Sequence, residues 1–241
     1  MSFSSKSDYI FALLSIFVRS KIPSPGEVSL AHEGVLFLDE FPEFRRSTLE
    51  VLRQPLEDGK VTITRATGTL TFPARFMLVA AMNPSPTSRQ GEGGGPPGVL
   101  SQKYRDRISG PLLDRIDVQI EVPALKKEDF FDRPSGETSE SIRNRVSACR
   151  ARQRKRFQHS PHIRCNSQMG SAEIRKYCTL GEMTQKMMEQ SLESLRLSAR
   201  GFDRILKVAR TIADLADRPT LLEEDLFEAV QFRSLERNYW R

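Results

Sequence analysis

Cysteine is scarce in this 241-residue chain, with only Cys149, Cys165 and Cys178. No two of them form a Cys-x-x-Cys pair, and the number is odd. Neither a disulfide framework nor a structural zinc site is therefore expected, and a reducing cytosol is the natural compartment. Long hydrophobic runs are missing too. The longest, residues 9–18, is too short to span a bilayer as a helix, so no membrane partner is expected. It follows Lys6 as a signal-peptide core would, but Arg19, Ser20 and Lys21 stand where a small-residue cleavage site belongs. Neither sign of charge dominates. Lys and Arg total 37 against 31 Asp and Glu, a net +6, which permits an acidic partner such as nucleic acid without requiring one. Internal repeats are absent.

What is present changes character along the chain. Residues 1–23 form an atypical, Ser-rich and apolar start. From residue 24 strand-like and helix-like patterns alternate, and after residue 134 only helical patterns remain. That order predicts an α/β layer over 24–134 followed by a small helical domain over 135–241. Val35, Leu36, Phe37 and Leu38 are a short apolar run bounded by Gly34 and Asp39, which reads as a buried parallel strand. Residues 76–82 read as a second. Leu49, Leu52 and Leu56 repeat at helical spacing, in a helix that Pro55 and Gly59 are expected to end. Residues 61–65 and 69–72 flank Ala66, Thr67 and Gly68, a β-hairpin pattern. Residues 117–122 alternate as an exposed or edge strand does. Residues 91–98 are Gly- and Pro-rich and read as a mobile loop, and 133–137 as a linker. In the last helix Thr220 is the expected cap, Glu223 completes a capping box, and Leu222, Leu226, Ala229 and Val230 form the buried stripe.

The strongest chemical signal is Gly34-Val-Leu-Phe-Leu-Asp39-Glu40. It places two carboxylates at the C-terminal end of a strand, where α/β sheets bind ligands. Asp39 there can hold Mg²⁺ through water, and Glu40 can orient and deprotonate an attacking water. A strand end followed by an acidic helix N-terminus is the plainer reading of the same residues.

The neighbouring residues decide between these readings. The stretch Pro25-Gly-Glu-Val-Ser-Leu-Ala-His-Glu-Gly, running into the strand and on through Phe41-Pro-Glu-Phe44, resembles the Walker B region of the magnesium-chelatase-like AAA+ ATPases. The resemblance continues at Ala80-Ala-Met-Asn-Pro84, Arg107-Ile-Ser-Gly-Pro-Leu-Leu-Asp-Arg-Ile-Asp117, Ser198-Ala-Arg-Gly-Phe-Asp-Arg204 and Val208-Ala-Arg-Thr-Ile-Ala-Asp-Leu215. The wording of the third and last motifs is similar to the ComM branch of that family.

The resemblance implies a partial P-loop-type AAA+ core with a β-hairpin insertion, followed by a helical lid. It implies ATP and Mg²⁺ as ligands, assembly into a ring of six copies, and work on DNA. Position by position, it makes Asn83 the sensor 1 amide and Arg115 the arginine finger that reaches a neighbouring subunit's nucleotide. It makes Arg200 the sensor 2 arginine of the lid. Read alone, these three are a turn former, a salt-bridge partner of Asp114 or Asp117, and a solvated helix-start residue. Lys60 and Arg65 flank the hairpin that related rings project toward the pore, where positive charge can track a phosphate backbone. Residues 143–156 carry seven basic side chains and no acid, and read as a solvated helix without a single stripe.

One departure stands out. No Gly-x-x-x-x-Gly-Lys-Ser/Thr occurs in the sequence, so the β- and γ-phosphates lack their backbone cradle and lysine, and weak ATP binding is expected. The stretch after Asn83 is free of cysteine, so the zinc-bearing insertion of some members is not expected. Two alternatives to the motor stay open: a non-hydrolysing, truncated remnant or interaction module, and a metal-chelatase-type subunit.

Overall fold

The computed structural model describes residues 25–65, 68–83, 107–122, 136–181, 185–186 and 198–233. The start of the chain, the 91–98 loop and most of the 133–137 linker lie outside these residues. The chain divides into two compact units, one running to Ile116 and the other starting at Asp117. No helix among the described residues is long and apolar enough to cross a membrane.

The first unit is mixed α/β. After a short helix α1 (Glu27–Leu30), the Asp39 run forms strand β1 (Val35–Leu38). It pairs in parallel with β4 (Met77–Ala80), Val35 opposite Met77 and Leu38 opposite Ala80. The parallel pairing agrees with the apolar pattern, but full burial does not. Leu36 and Leu38 are buried, whereas Val35 and Phe37 are 55% and 59% exposed, and Met77 and Val79 are exposed too. A strand side chain points to alternate faces. Among the described residues a core covers only one face of this sheet.

The Leu49 helix is two helices, α2 (Arg46–Val51) and α3 (Arg53–Asp58). Pro55 does not terminate the helix but sits in the first turn of α3. There it needs no N–H, and its ring excludes a continuous helix through the carbonyl of Val51 four residues earlier. Gly59 does end α3, at φ +65°, where an added Cβ would meet the Arg75 side chain at 2.7 Å.

The hairpin forms as expected from β2 (Lys60–Arg65) and β3 (Gly68–Pro73), antiparallel, with Lys60 opposite Pro73 and Arg65 opposite Gly68. Gly68 belongs to the strand rather than the turn. Val61 is buried and Ile63 packs beside it, while Thr62 and Thr64 pair across the outer face with Thr71 and Thr69. Val28, Leu36, Leu38, Phe41, Leu49 and Leu52 form this unit's core with Ile108, Leu112 and Leu113 around a one-turn helix α4 (Gly110–Leu113).

The described part of the second unit is helical: α5 (Ser139–Arg156), α6 (Ser171–Tyr177), α7 (Ala199–Leu215) and α8 (Glu223–Gln231). Thr138 caps α5 and Ser198 caps α7 through their hydroxyls. Ile205, Leu206, Ala209 and Ala213 of α7 face Leu226 and Ala229 of α8 in one core with Phe157, Met169 and Ile174. The α8 cap differs from expectation. Leu222 occupies the cap position, the Asp225 carboxylate accepts its N–H at 2.9 Å, and Leu221 is buried while Leu222 is exposed. Both capping acids fit the pattern, and the register was settled by which leucine the core takes. Residues 117–122 form no strand. Val118, Ile120 and Val122 are exposed, Gln119 N–H donates to the Phe232 carbonyl, and no strand among the described residues offers the edge that the alternation required.

A buried ionic knot ties α5 to α7. Asp214, 1% exposed, accepts from Arg156 and from Asn166 at 2.8 Å, with Arg210 at 3.2 Å. Burial alone would raise the Asp214 pKa. The hydrogen bonds from Arg156 and Asn166 and the charges of Arg156 and Arg210 outweigh it and hold the carboxyl below its ordinary value.

Candidate functional site

The parallel ladder continues past both strands. Ala81 N–H donates to the Leu38 carbonyl at 2.9 Å, and Phe41 N–H donates back to the Ala81 carbonyl at 3.0 Å. The chain therefore leaves β1 through Asp39 and Glu40 beside the point where it leaves β4 through Met82 and Asn83. All three candidate polar residues are exposed.

Glu40 adopts φ 49°, ψ 43°, a left-handed conformation that glycine takes readily and a glutamate does not. Its N–H donates to Asp39 Oδ1 at 2.8 Å. The next residues, Phe41 and Pro42, are buried and open a 3₁₀ turn (Phe41–Glu43), so the chain bends sharply with both carboxylates left outside. Arg107 fastens this turn, donating to the Pro42 carbonyl at 2.8 Å and to Glu43 at 3.1 Å. The sequence did not single out Arg107 for a role. Its only signal was its place at the head of the Arg107–Asp117 motif, since the contact joins residues far apart in the chain.

Arg115 follows α4, and the ion pair described for it joins it to a residue distant in sequence. It donates to the Pro111 carbonyl at 2.6 Å and to Glu57 on α3. Its side chain is 8% exposed and that of Glu57 34%. The pair lies in an open groove lined also by Glu50, Arg53, Gln54 and Asp58. Asp117 instead pairs with Arg204 of α7, at 2.5 Å. Sequence alone assigned no role to Glu57 or Arg204, and Arg204 stood out only as the end of the Ser198–Arg204 motif.

Arg200 lies in the first turn of α7, exposed, in the second unit. Lys60, exposed, is at the base of the hairpin and Arg65 at its far end, five residues or about 17 Å along the strand. Among the described residues no group of three or more His, Cys, Asp or Glu is placed to hold a metal. The donors at the β1 end are hard carboxylate oxygens, which suit Mg²⁺ bound through water.

Comparison with known proteins accounts for both units. The magnesium chelatase, subunit ChlI, family matches residues 11–130, starting within the apolar stretch of the atypical N-terminal segment. The C-terminal family of the same subunit matches residues 136–233. The chain is 44% identical over 219 residues to the uncharacterized protein YifB of Escherichia coli, covering 90% of this chain and 42% of that protein. It is 45% identical over 220 residues to the competence protein ComM of Haemophilus influenzae, with the same two coverages. An uncharacterized protein of Mycobacterium tuberculosis is 36% identical over 220 residues. The chain thus spans about two fifths of the length of these relatives, and over that span it belongs to the magnesium-chelatase-like AAA+ family, on its ComM branch.

Proposed function

We propose that these residues form the hydrolytic end and helical lid of a ring-forming AAA+ ATPase, which couples ATP hydrolysis to DNA remodelling of the branch-migration kind. The observation that carries the reading is the β1–β4 register, which brings Asp39, Glu40 and Asn83 out at one sheet end. Glu40 takes the proton of the attacking water, and the Asn83 amide orients that water. Asp39 holds the hydrated Mg²⁺, which when bound neutralises phosphate charge. Arg115 reaches the nucleotide of the adjoining subunit, where a guanidinium offsets charge that grows in the transition state. Arg200 contacts the phosphates of its own subunit. DNA as the substrate rests on the likeness to the ComM branch.

The 241 residues contain no Gly-x-x-x-x-Gly-Lys-Ser/Thr, so the β- and γ-phosphates find no cradle or lysine in them, and the site works only with such a loop supplied. The test joins the chain to the phosphate-loop segment of a relative and measures ATP turnover. Glu40→Gln should lower kcat by about 10²-fold or more while ATP still binds. Arg115→Ala should lower it by roughly 10³-fold. Mixing the two variants should restore part of the activity, because a Glu40→Gln subunit can lend its arginine to an Arg115→Ala neighbour. Glu40→Gln turning over at near the parent rate would sink the reading. Mixed rings without recovery would remove Arg115 from its role across the interface.

A further inference from the structure

The seven basic residues of α5 are not spread evenly around the helix. At about 100° per residue, Arg150 and Arg154 lie within about 20° of Arg143 around the axis, and Arg145, Arg152 and Arg156 lie about 140–180° away. The structure treats the two sets oppositely. Each member of the second set has an acidic partner: Arg145 bonds both oxygens of Glu137 at 3.0 Å, Arg152 pairs with Asp217 at 2.5 Å, and Arg156 with Asp214. Cys149 and Gln153 are buried on the inner side of the helix. Arg143, Arg150 and Arg154 are exposed, and no carboxylate among the described residues pairs with them. The expectation that no stripe emerges is thus corrected. Three of the seven basic residues are paired with acids, three are sorted onto one outward line, and Lys155 lies off that line, about 120° around the axis from Arg143.

We propose that Arg143, Arg150 and Arg154 form a docking strip for the phosphate backbone of double-stranded DNA, separate from the hydrolytic site. Seven residues of helix advance about 10.5 Å and four about 6 Å. The arginine side chain is long and flexible enough for guanidiniums at these spacings to reach phosphates of one backbone, and the planar fork bonds phosphate oxygens two at a time.

The composition of the outward face discriminates among polyanions. It carries Asn144, Ser147 and Ala151 between the arginines and no aromatic side chain, so it offers no platform for the stacked bases of a single strand. Nor does it present the large apolar residues that anchor a helix in a lipid interface. The exposed Ile142 and Val146 lie on the flank toward the buried side. The single acid on the outward flank of α5, Glu140, is in the first turn, beyond the end of the stripe.

The test is fluorescence anisotropy of the full chain with a labelled mixed-sequence duplex, without nucleotide, across a salt series. Replacing all three arginines (Arg143→Gln, Arg150→Gln, Arg154→Gln) should weaken binding about tenfold or more. It should also lower the slope of log K against log salt by about 2.7, the value for three phosphate contacts. The corresponding Arg→Lys triple should retain most of the affinity, and unchanged far-UV circular dichroism would exclude misfolding. A charge-matched control, Arg164→Gln with Arg175→Gln and Lys186→Gln, all exposed, should bind like the parent. Equal loss in that control, or equal competition by polyglutamate at matched charge, would reduce the effect to bulk charge and overturn the proposal. Absence of duplex binding by the parent, with binding to anionic vesicles instead, would also overturn it. Loss with Lys60→Gln but not with the stripe variant would move the contact to the hairpin. Because no nucleotide is present, failure of the ATPase reading would leave this result untouched, and the reverse holds as well.

Discussion

Asp214, buried against Arg156, Asn166 and Arg210, measures what a buried charge contributes to the second unit. Asp214→Asn keeps the shape and one carbonyl acceptor but removes the negative charge that faces Arg156 and Arg210. Removing one partner of a buried ion pair costs about 3–5 kcal/mol, because the other charge is left without compensation. Two features put this case at the lower end. Arg156 is 15% exposed and can turn toward water, and Arg210 keeps the carbonyls of Pro219 and Arg218 at 3.0 and 2.6 Å. The expected loss is about 3 kcal/mol. With a urea m-value of about 2 kcal/mol/M, the midpoint of helix loss at neutral pH should fall by about 1.5 M. Acid should narrow the gap between parent and variant. The folded Asp214 pKa lies below its unfolded value, so its contribution is present above about pH 3.9 and is lost as pH falls through the depressed folded value. Urea titrations read by far-UV circular dichroism at neutral and acid pH check both points. A loss under about 1 kcal/mol, or a gap that widens in acid, would refute the knot as a source of stability.

Two further outcomes follow from single residues. Burial pushes the Cys178 thiol up to about 11 and also raises Cys149, while Cys165 is only half-buried. Ellman's reagent at mildly alkaline pH should therefore titrate one thiol quickly in the native protein, and fast reaction of two or three would contradict the packing. Glu40→Gly should relieve a left-handed conformation costing about 1–2 kcal/mol, less the roughly 0.5–1 kcal/mol of chain entropy that glycine adds to the unfolded state. The net is a small gain in thermal stability of the first unit, absent in Glu40→Gln. A lower melting temperature for the glycine variant would show that the turn is held by the Glu40 side chain itself.

The parts of the fold that were legible are those in which local pattern and tertiary environment agree. The β1 and β4 runs read as parallel strands because four consecutive apolar residues flanked by Gly34 and Asp39 have few other uses. The hairpin was legible because apolar residues alternate with threonine on both sides of a turn. Reading failed where a choice rested on a distant residue. Thr220 and Leu222 are each acceptable helix starts, and only the packing of Leu221 against α7 selects the second. Pro55 reads as a stop or as a first-turn residue depending on whether the helix breaks before it. The α5 arginines look uniform in sequence, because two of the three acids that divide them, Asp214 and Asp217, stand some sixty residues on. The same limit hid Arg107 and Glu57, whose partners lie about as far away.

The Arg115–Glu57 pair gives the proposed finger a measurable resting place. A guanidinium that serves a neighbouring subunit must leave whatever holds it at home, so the strength of that hold matters as much as its existence. An arginine fully buried with its carboxylate would resist by about 3–5 kcal/mol and would be a structural element only. One fully exposed would be free to move but would have to order its long side chain on every encounter, at a cost of about 1.5–2 kcal/mol. Arg115 is in neither situation: its own side chain is largely enclosed, while Glu57 is a third exposed and screened by water. Exposed pairs contribute about 0–1 kcal/mol, and this one, enclosed at one end, belongs near or slightly above the top of that range. A triphosphate presents several negative oxygens where Glu57 presents one carboxylate, so the exchange favours the nucleotide when a neighbour holds it and favours Glu57 when the neighbour is empty. On the proposed reading, then, Glu57 keeps the guanidinium ordered and close to the groove mouth without holding it so tightly that hydrolysis would stall.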